Sequence, residues 1–156
     1  MGKKTGKNPT DRGKLGVKRS VVTDSRGVPL GIAIAGANVH DAKLLRETLR
    51  SIPVPRPKSA GRSKQHLCLD KGYCGQPSVS IARLFRYTPH IPRKGEVQAK
   101  RRPGQRARRW VVEGSHSWTN RARRLLVRWE KKVSNYLAFV HLQVAYIALK
   151  QSGVLG

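Results

Sequence analysis

Carboxylates are scarce in this chain, so the position of each carries weight. Of 156 residues, 33 are Lys or Arg and 8 are Asp or Glu. Glu113 stands among cations. Between Arg108 and Leu125 the spacing predicts a helix. At 100° per residue, Arg109, Glu113, Ser117, Asn120 and Arg124 share one stripe, and Val111, Ser115, Trp118, Ala122 and Leu125 another. The second stripe would pack on a core. Two readings stay open for the first. Glu113 either forms an exposed i,i+4 pair with Arg109, worth roughly 0.3 kcal/mol, or it is a metal-binding carboxylate with cations beside it to hold a phosphodiester backbone. Gly114, a poor helix former, would permit a close approach. Asp70 is the second acid of interest. It ends the short strand read over 65–70, where a strand stops and a loop opens. Ligand sites gather at such points in sheets flanked by helices.

The charge, +25 at neutral pH, implies a polyanionic partner, nucleic acid before membrane. Apolar residues make up 38% of the chain, with 3 Trp, which excludes a merely disordered basic tail. Cys68 and Cys74 have no further cysteines to complete a zinc set, and they read as free thiols in a reducing cytoplasm. The longest apolar stretch, 136–149, is too short to cross a bilayer, and no secretory signal opens the chain.

The elements that must position the acids follow in order. Residues 1–16 form a polar, Gly-rich basic arm whose glycine spacing does not fit a triphosphate loop. Asp11 is expected to close an Asx-type turn. Val17–Thr23 and Val28–Ala35 read as strands joined by a hairpin turn, Asp24-Ser25-Arg26-Gly27. The second strand, with large residues on one face and small ones on the other, suits a sheet covered on both sides. Ala42–Ser51 reads as a helix with Leu44, Leu45, Leu49 and Ile52 inward, capped by Asn38, His40 or Asp41. Residues 53–64 are a basic linker loop. Gln76–Phe85 is a helix with Pro77 in its first turn, and Thr88–Ile91 a short strand. Residues 92–108 are the most basic loop, carrying Arg101, Arg102 and Arg106. A last helix over Tyr136–Lys150, capped by Ser134, is apolar nearly all round and so is expected to be buried.

Several motifs occur in a telling order: Gly-Lys-Asn-Pro-Thr-Asp-Arg-Gly-Lys (6–14), Asp-Ser-Arg-Gly-Val-Pro-Leu (24–30), Gly-Ala-Asn-Val-His-Asp (36–41), Leu-Asp-Lys-Gly-Tyr (69–73), Arg-Trp-Val-Val-Glu (109–113) and Trp-Thr-Asn-Arg (118–121). Together they resemble the catalytic half of a bacterial insertion-sequence transposase with a DDE, ribonuclease-H-like core, over nearly the whole chain. The resemblance implies an α/β fold, a mixed sheet flanked by helices. It implies two aspartates and a glutamate holding two Mg²⁺ (or Mn²⁺) ions. These activate water, and then a DNA 3′-hydroxyl, against a phosphodiester. On that likeness Asp70 matches the second aspartate, Glu113 the glutamate, and Arg109 the arginine four residues before it. Asn120, Arg121, Arg124, Arg101, Arg102 and Arg106 are expected DNA contacts.

The chain departs from the family pattern at three places. Arg106 stands where Tyr is frequent. Asn120 stands where Lys is frequent, with Arg121 or Arg124 as substitutes. The first aspartate has no counterpart, because Asp11, Asp24 and Asp41 lie in loop or cap contexts. The expectation is therefore a single partial catalytic domain over 1–156, missing its first strand. It would bind insertion-sequence ends and target DNA, as a homodimer or with an upstream-frame product, but would not cut alone. The missing strand would leave an open, aggregation-prone edge beside the first hairpin. The alternative is a non-catalytic basic DNA-binding remnant that regulates transposition. The expected location is the bacterial cytoplasm, on the nucleoid, with no membrane partner.

Overall fold

The computed structural model describes residues 4–55, 64–92 and 117–154. Its backbone is mixed α/β. The strands are β1 (Gly6–Lys7), β2 (Leu15–Thr23), β3 (Pro29–Gly36), β4 (His66–Cys68) and β5 (Thr88–His90). The helices are α1 (Asp41–Arg50), α2 (Gln76–Leu84), α3 (Arg123–Leu126) and α4 (Val133–Gln151), with a 3₁₀ turn over Lys71–Tyr73. The described strands form two sheets, an antiparallel β1-β2-β3 sheet and a parallel β4-β5 pair.

The hairpin forms for the local reason the sequence suggests. Asp24 Oδ1 accepts from the backbone N–H of Arg26 at 2.8 Å and of Val28 at 2.9 Å. Gly27 takes a φ of 89°, which favours glycine. Register then runs from Val17 opposite Gly36 to Val22 opposite Gly31, with an irregularity before Thr23. Alternation sends Ile32 and Ile34 to one face of β3, where they meet Leu125, Tyr136 and Val140. On the other face lies α1. A Cβ at Gly31 would fall 2.8 Å from Ser51 Oγ and 3.0 Å from the Thr48 carbonyl, so helix and strand touch backbone to backbone there. The second core, Leu45, Leu49, Leu67 and Ala82, joins α1 to β4 and α2, with Val22 of β2 at its margin. The antiparallel sheet is therefore covered on both faces, as its residue pattern predicts.

Four local expectations differ from the structure. Asn8, not Asp11, makes the Asx turn: its Oδ1 accepts from the Thr10 N–H at 3.1 Å. Asp11 instead lies 3.6 Å from Lys14 Nζ. Within the basic arm, Gly6 and Lys7 pair with Gly16 and Leu15. The last helix begins at Val133 after Lys132, with no side-chain cap, so Ser134 falls inside it. Nor is that helix buried all round. Tyr136, Val140 and Ile147 are buried, while Leu142, Tyr146 and Leu149 are exposed. It lies against one face of a small sheet, which covers one stripe of its surface. For α1 the sequence leaves three capping residues open; His40 is the one, its Nδ1 accepting from the Ala42 N–H at 3.3 Å.

The helix expected over Arg108–Leu125 is described from 117 onward. Residues 117–120 are helical, 121–122 are not, and α3 follows after Ala122, whose ψ is 102°. Ser117, Asn120 and Arg124 are exposed as the stripe predicts, while Ala122 is half-buried and Leu125 buried. Thr119 is also buried, at 2% exposure. Six residues apart on a straight helix, Thr119 and Leu125 would point about 120° from each other. The break lets both turn inward.

Candidate metal and nucleic-acid site

Asp70 lies two residues beyond β4, at the carboxyl end of the parallel pair, and is exposed. The Leu69 N–H donates to the His90 carbonyl, so the β4–β5 pairing holds the chain up to the residue before it. Asp70 is extended, with φ −82° and ψ 179°, and caps the 3₁₀ turn. Its Oδ1 accepts from the Gly72 N–H at 2.8 Å. That bond fixes the carboxylate's orientation. Gly72 leaves room for it, since a Cβ there would fall 3.0 Å from the same oxygen.

Tyr73 anchors this turn to the rest of the fold, and its part is invisible in the sequence. Its ring packs against the Leu45, Leu49, Leu67 and Ala82 cluster, and its hydroxyl faces Ser20 of β2. Ser20 Oγ in turn lies 2.8 Å from Thr48 Oγ1 on α1, and that hydroxyl is 2.9 Å from the Leu44 carbonyl. Burial pushes the Tyr73 hydroxyl above its ordinary pKa. Ser20 opposes this, while the negative charges of Asp41 and Asp70 add to it. Packing of Tyr73 on the second core thus ties the turn that carries Asp70 to α1, β4 and α2.

The other acids can be accounted for one by one. Asp24 closes the hairpin turn. Asp41 lies 3.1 Å from Lys18 Nζ, and Glu47 lies 2.7 Å from Lys4 Nζ. Asp11 faces Lys14. Glu130 has a side chain 10% exposed and lies 3.9 Å from Arg124 Nε. Glu96 and Glu113 lie outside the described residues, as do Arg101, Arg102, Arg106 and Arg109. Among the described residues no three of His, Cys, Asp and Glu converge as a metal-binding group. An exposed, oriented carboxylate oxygen such as that of Asp70 suits a hard divalent cation as one ligand of several. His40 and Asp41 form no acid/base pair, since one caps α1 and the other meets Lys18. Cys68 and Cys74 are free thiols.

The expected DNA-contacting residues that are described lie near one another in sequence and on the surface. Asn120 is exposed, and its Oδ1 accepts from Arg19 Nη2 at 2.6 Å, tying it to β2. Arg121 is exposed. Arg124 stacks over the Phe139 ring at 4.9 Å, which fixes its stem and leaves its side chain 67% exposed. Arg128 points inward instead, donating from Nε to the Glu130 carbonyl at 2.9 Å and lying over Tyr136. Among the described residues no helix is long and apolar enough to cross a membrane.

The described residues thus form an α/β fold with an exposed, oriented aspartate at the carboxyl end of a parallel strand pair, in a chain of net charge +25. Residues 1–148 match the family model described as a transposase DDE domain. The chain belongs to that family. It is also similar to a Burkholderia cepacia protein named "Putative transposase for insertion sequence element IS402". The two are 34% identical over 142 residues, which is 89% of this chain and 65% of the relative. The chain thus spans about 65% of that relative's length. No solved structure matches it.

Proposed function

We propose that this chain is the catalytic part of an insertion-sequence transposase, in which Asp70 and Glu113 hold divalent ions for cleavage and transfer of DNA strands. The family membership supports the reaction class, and the placement of Asp70 carries the residue assignment. Its carboxylate is exposed, held in one orientation by Gly72, and its turn is anchored by Tyr73 packed on the second core. Bound Mg²⁺ would supply activation of water and of a DNA 3′-hydroxyl for in-line attack on the phosphodiester. The chain's own contributions are ligation and grip. Asp70 and Glu113 offer hard oxygen ligands, and Arg109, Asn120, Arg121, Arg124, Arg101, Arg102 and Arg106 hold the backbone of insertion-sequence ends and target.

The acid accounting bears on activity. Each ion of a two-ion site takes about six oxygens, and the described acids other than Asp70 have other duties. We therefore assign the first aspartate to a segment supplied from an upstream frame, on a strand completing a ribonuclease-H-like sheet. By itself the chain, a single partial domain, then binds DNA without cutting it, in the bacterial nucleoid and as a homodimer or with the upstream product. The test uses a frame-restored protein with Asp70→Ala or Glu113→Ala. Lost cleavage with retained DNA binding is the expected result. Unchanged cleavage in both variants, or none in the unmutated protein with Mg²⁺, would favour the regulatory DNA-binding remnant.

A further inference from the structure

A cleft of about 540 Å³ opens between the first strands and the turn that follows α3, away from Asp70. Arg19, Glu130, Trp129, Lys14, Lys131 and Tyr136 are among its lining residues. Two of its charged groups are incompletely satisfied. Arg19 Nη1 and Glu130 Oε2 are both buried and lack hydrogen-bond partners. The Glu130 side chain is only 10% exposed. Arg19 spends its other terminal nitrogen on Asn120. Burying an unsatisfied polar atom costs on the order of 1–3 kcal/mol, more when it is charged. Two such atoms on side chains that line one cleft therefore ask for a ligand.

The chemistry of the pair narrows what that ligand is. A phosphate would satisfy Arg19 but be repelled by Glu130. A lysine or arginine side chain would satisfy Glu130 but not Arg19. The edge of a nucleobase carries a donor and an acceptor side by side, and so answers both. Trp129, 75% exposed, offers a ring on which a base can stack. Lys14 and Lys131, both exposed, can hold the flanking phosphates. We propose that this cleft receives a single unpaired nucleobase of the bound DNA, its hydrogen-bonding edge read by Arg19 and Glu130. The idea rests on the chain being a DNA-binding transposase domain, and it adds a base-reading pocket separate from Asp70. Both atoms lie beneath the cleft wall, so a rotation of the terminal torsion of either side chain is part of the binding event.

The experiment compares two labelled eight-unit DNA strands by fluorescence anisotropy with the full chain. One strand is abasic throughout; the other carries one guanine at its centre. Phosphate contacts are equal in the two, so the affinity ratio reports the base alone. We expect the guanine strand to bind about tenfold more tightly, in the range of one stacked and hydrogen-bonded base. Glu130→Gln and Arg19→Gln should each bring the ratio close to one. Trp129→Ala, at an exposed position where folding is not at stake, should lower it severalfold. A ratio near one for the unmutated chain overturns the proposal. A ratio unmoved by all three substitutions does the same. Failure to bind either strand would sink the DNA-binding reading itself, a distinct result.

Discussion

Replacing Tyr73 by phenylalanine removes the hydroxyl that faces Ser20 beside the Asp70 turn. Ser20, 7% exposed, keeps Thr48 as a partner, so the loss is that of one polar hydroxyl contact and not of a stranded buried group. That is worth about 1 kcal/mol, or a fall of about 2–4 °C in Tm for a chain of this size. The pH dependence sharpens the test. Burial raises the Tyr73 pKa, with Asp41 and Asp70 adding to the shift and Ser20 opposing it. The unfolded chain therefore releases this proton first, near the ordinary value of about 10, and the folded chain later. Proton release then favours unfolding, so the stabilising contribution is complete below about pH 9 and is lost as pH climbs past about 10. Tyr136, whose pKa burial also raises, is common to both proteins and drops out of the comparison. Urea unfolding at several pH values should show the stability advantage over Tyr73→Phe shrinking with alkalinity. Equal stability at neutral pH, or an advantage that widens above pH 10, would refute this account of the turn.

Gly31→Ala should destabilise by about 1–3 kcal/mol despite the gain in chain stiffness, because the new methyl meets the Thr48 carbonyl and Ser51; thermal unfolding reads it directly. Asp24→Ala should cost about 1–2 kcal/mol through two lost backbone acceptor bonds, while Asp24→Asn, which keeps an acceptor, should cost less than half of that. DNA affinity should fall at least about a hundredfold between roughly 50 and 200 mM salt, measured on duplexes of unrelated sequence; a flat salt response would contradict a phosphate-dominated interface.

What the sequence makes legible is local. The Asp24 turn, the paired strands, the inward leucines of α1 and the strand-end position of Asp70 each follow from a few adjacent residues. Asn8 displaces Asp11 as the turn former because its side chain reaches Thr10, a choice that spacing leaves undecided. The break at 121–122 escapes periodicity because two inward residues, Thr119 and Leu125, must be reconciled with one core. Contacts between distant segments are illegible for a different reason. Arg19 meets Asn120 across 101 residues, and Tyr73 faces Ser20 with β3, α1 and β4 between them in the chain, so no motif announces either. Glu130 reads as one acid among lysines until burial singles it out. The strands likewise read as one mixed sheet, whereas the described ones form an antiparallel sheet and a separate parallel pair, joined through side chains of α1 and β2. The open edge expected beside the first hairpin remains a proposal about solubility, tested by aggregation of the chain with and without DNA.

If residues 70 and 113 grip the same divalent ions, exchanging their ligand atoms must change which metal supports cleavage. In the frame-restored transposase, Asp70→Cys and Glu113→Cys place a soft sulfur where a hard oxygen stood, which disfavours Mg²⁺ and tolerates Mn²⁺ or Zn²⁺ better. The account predicts strand cleavage lost in Mg²⁺ for both variants and recovered in part when Mn²⁺ replaces it. Full Mg²⁺-dependent cleavage by either cysteine variant would contradict it.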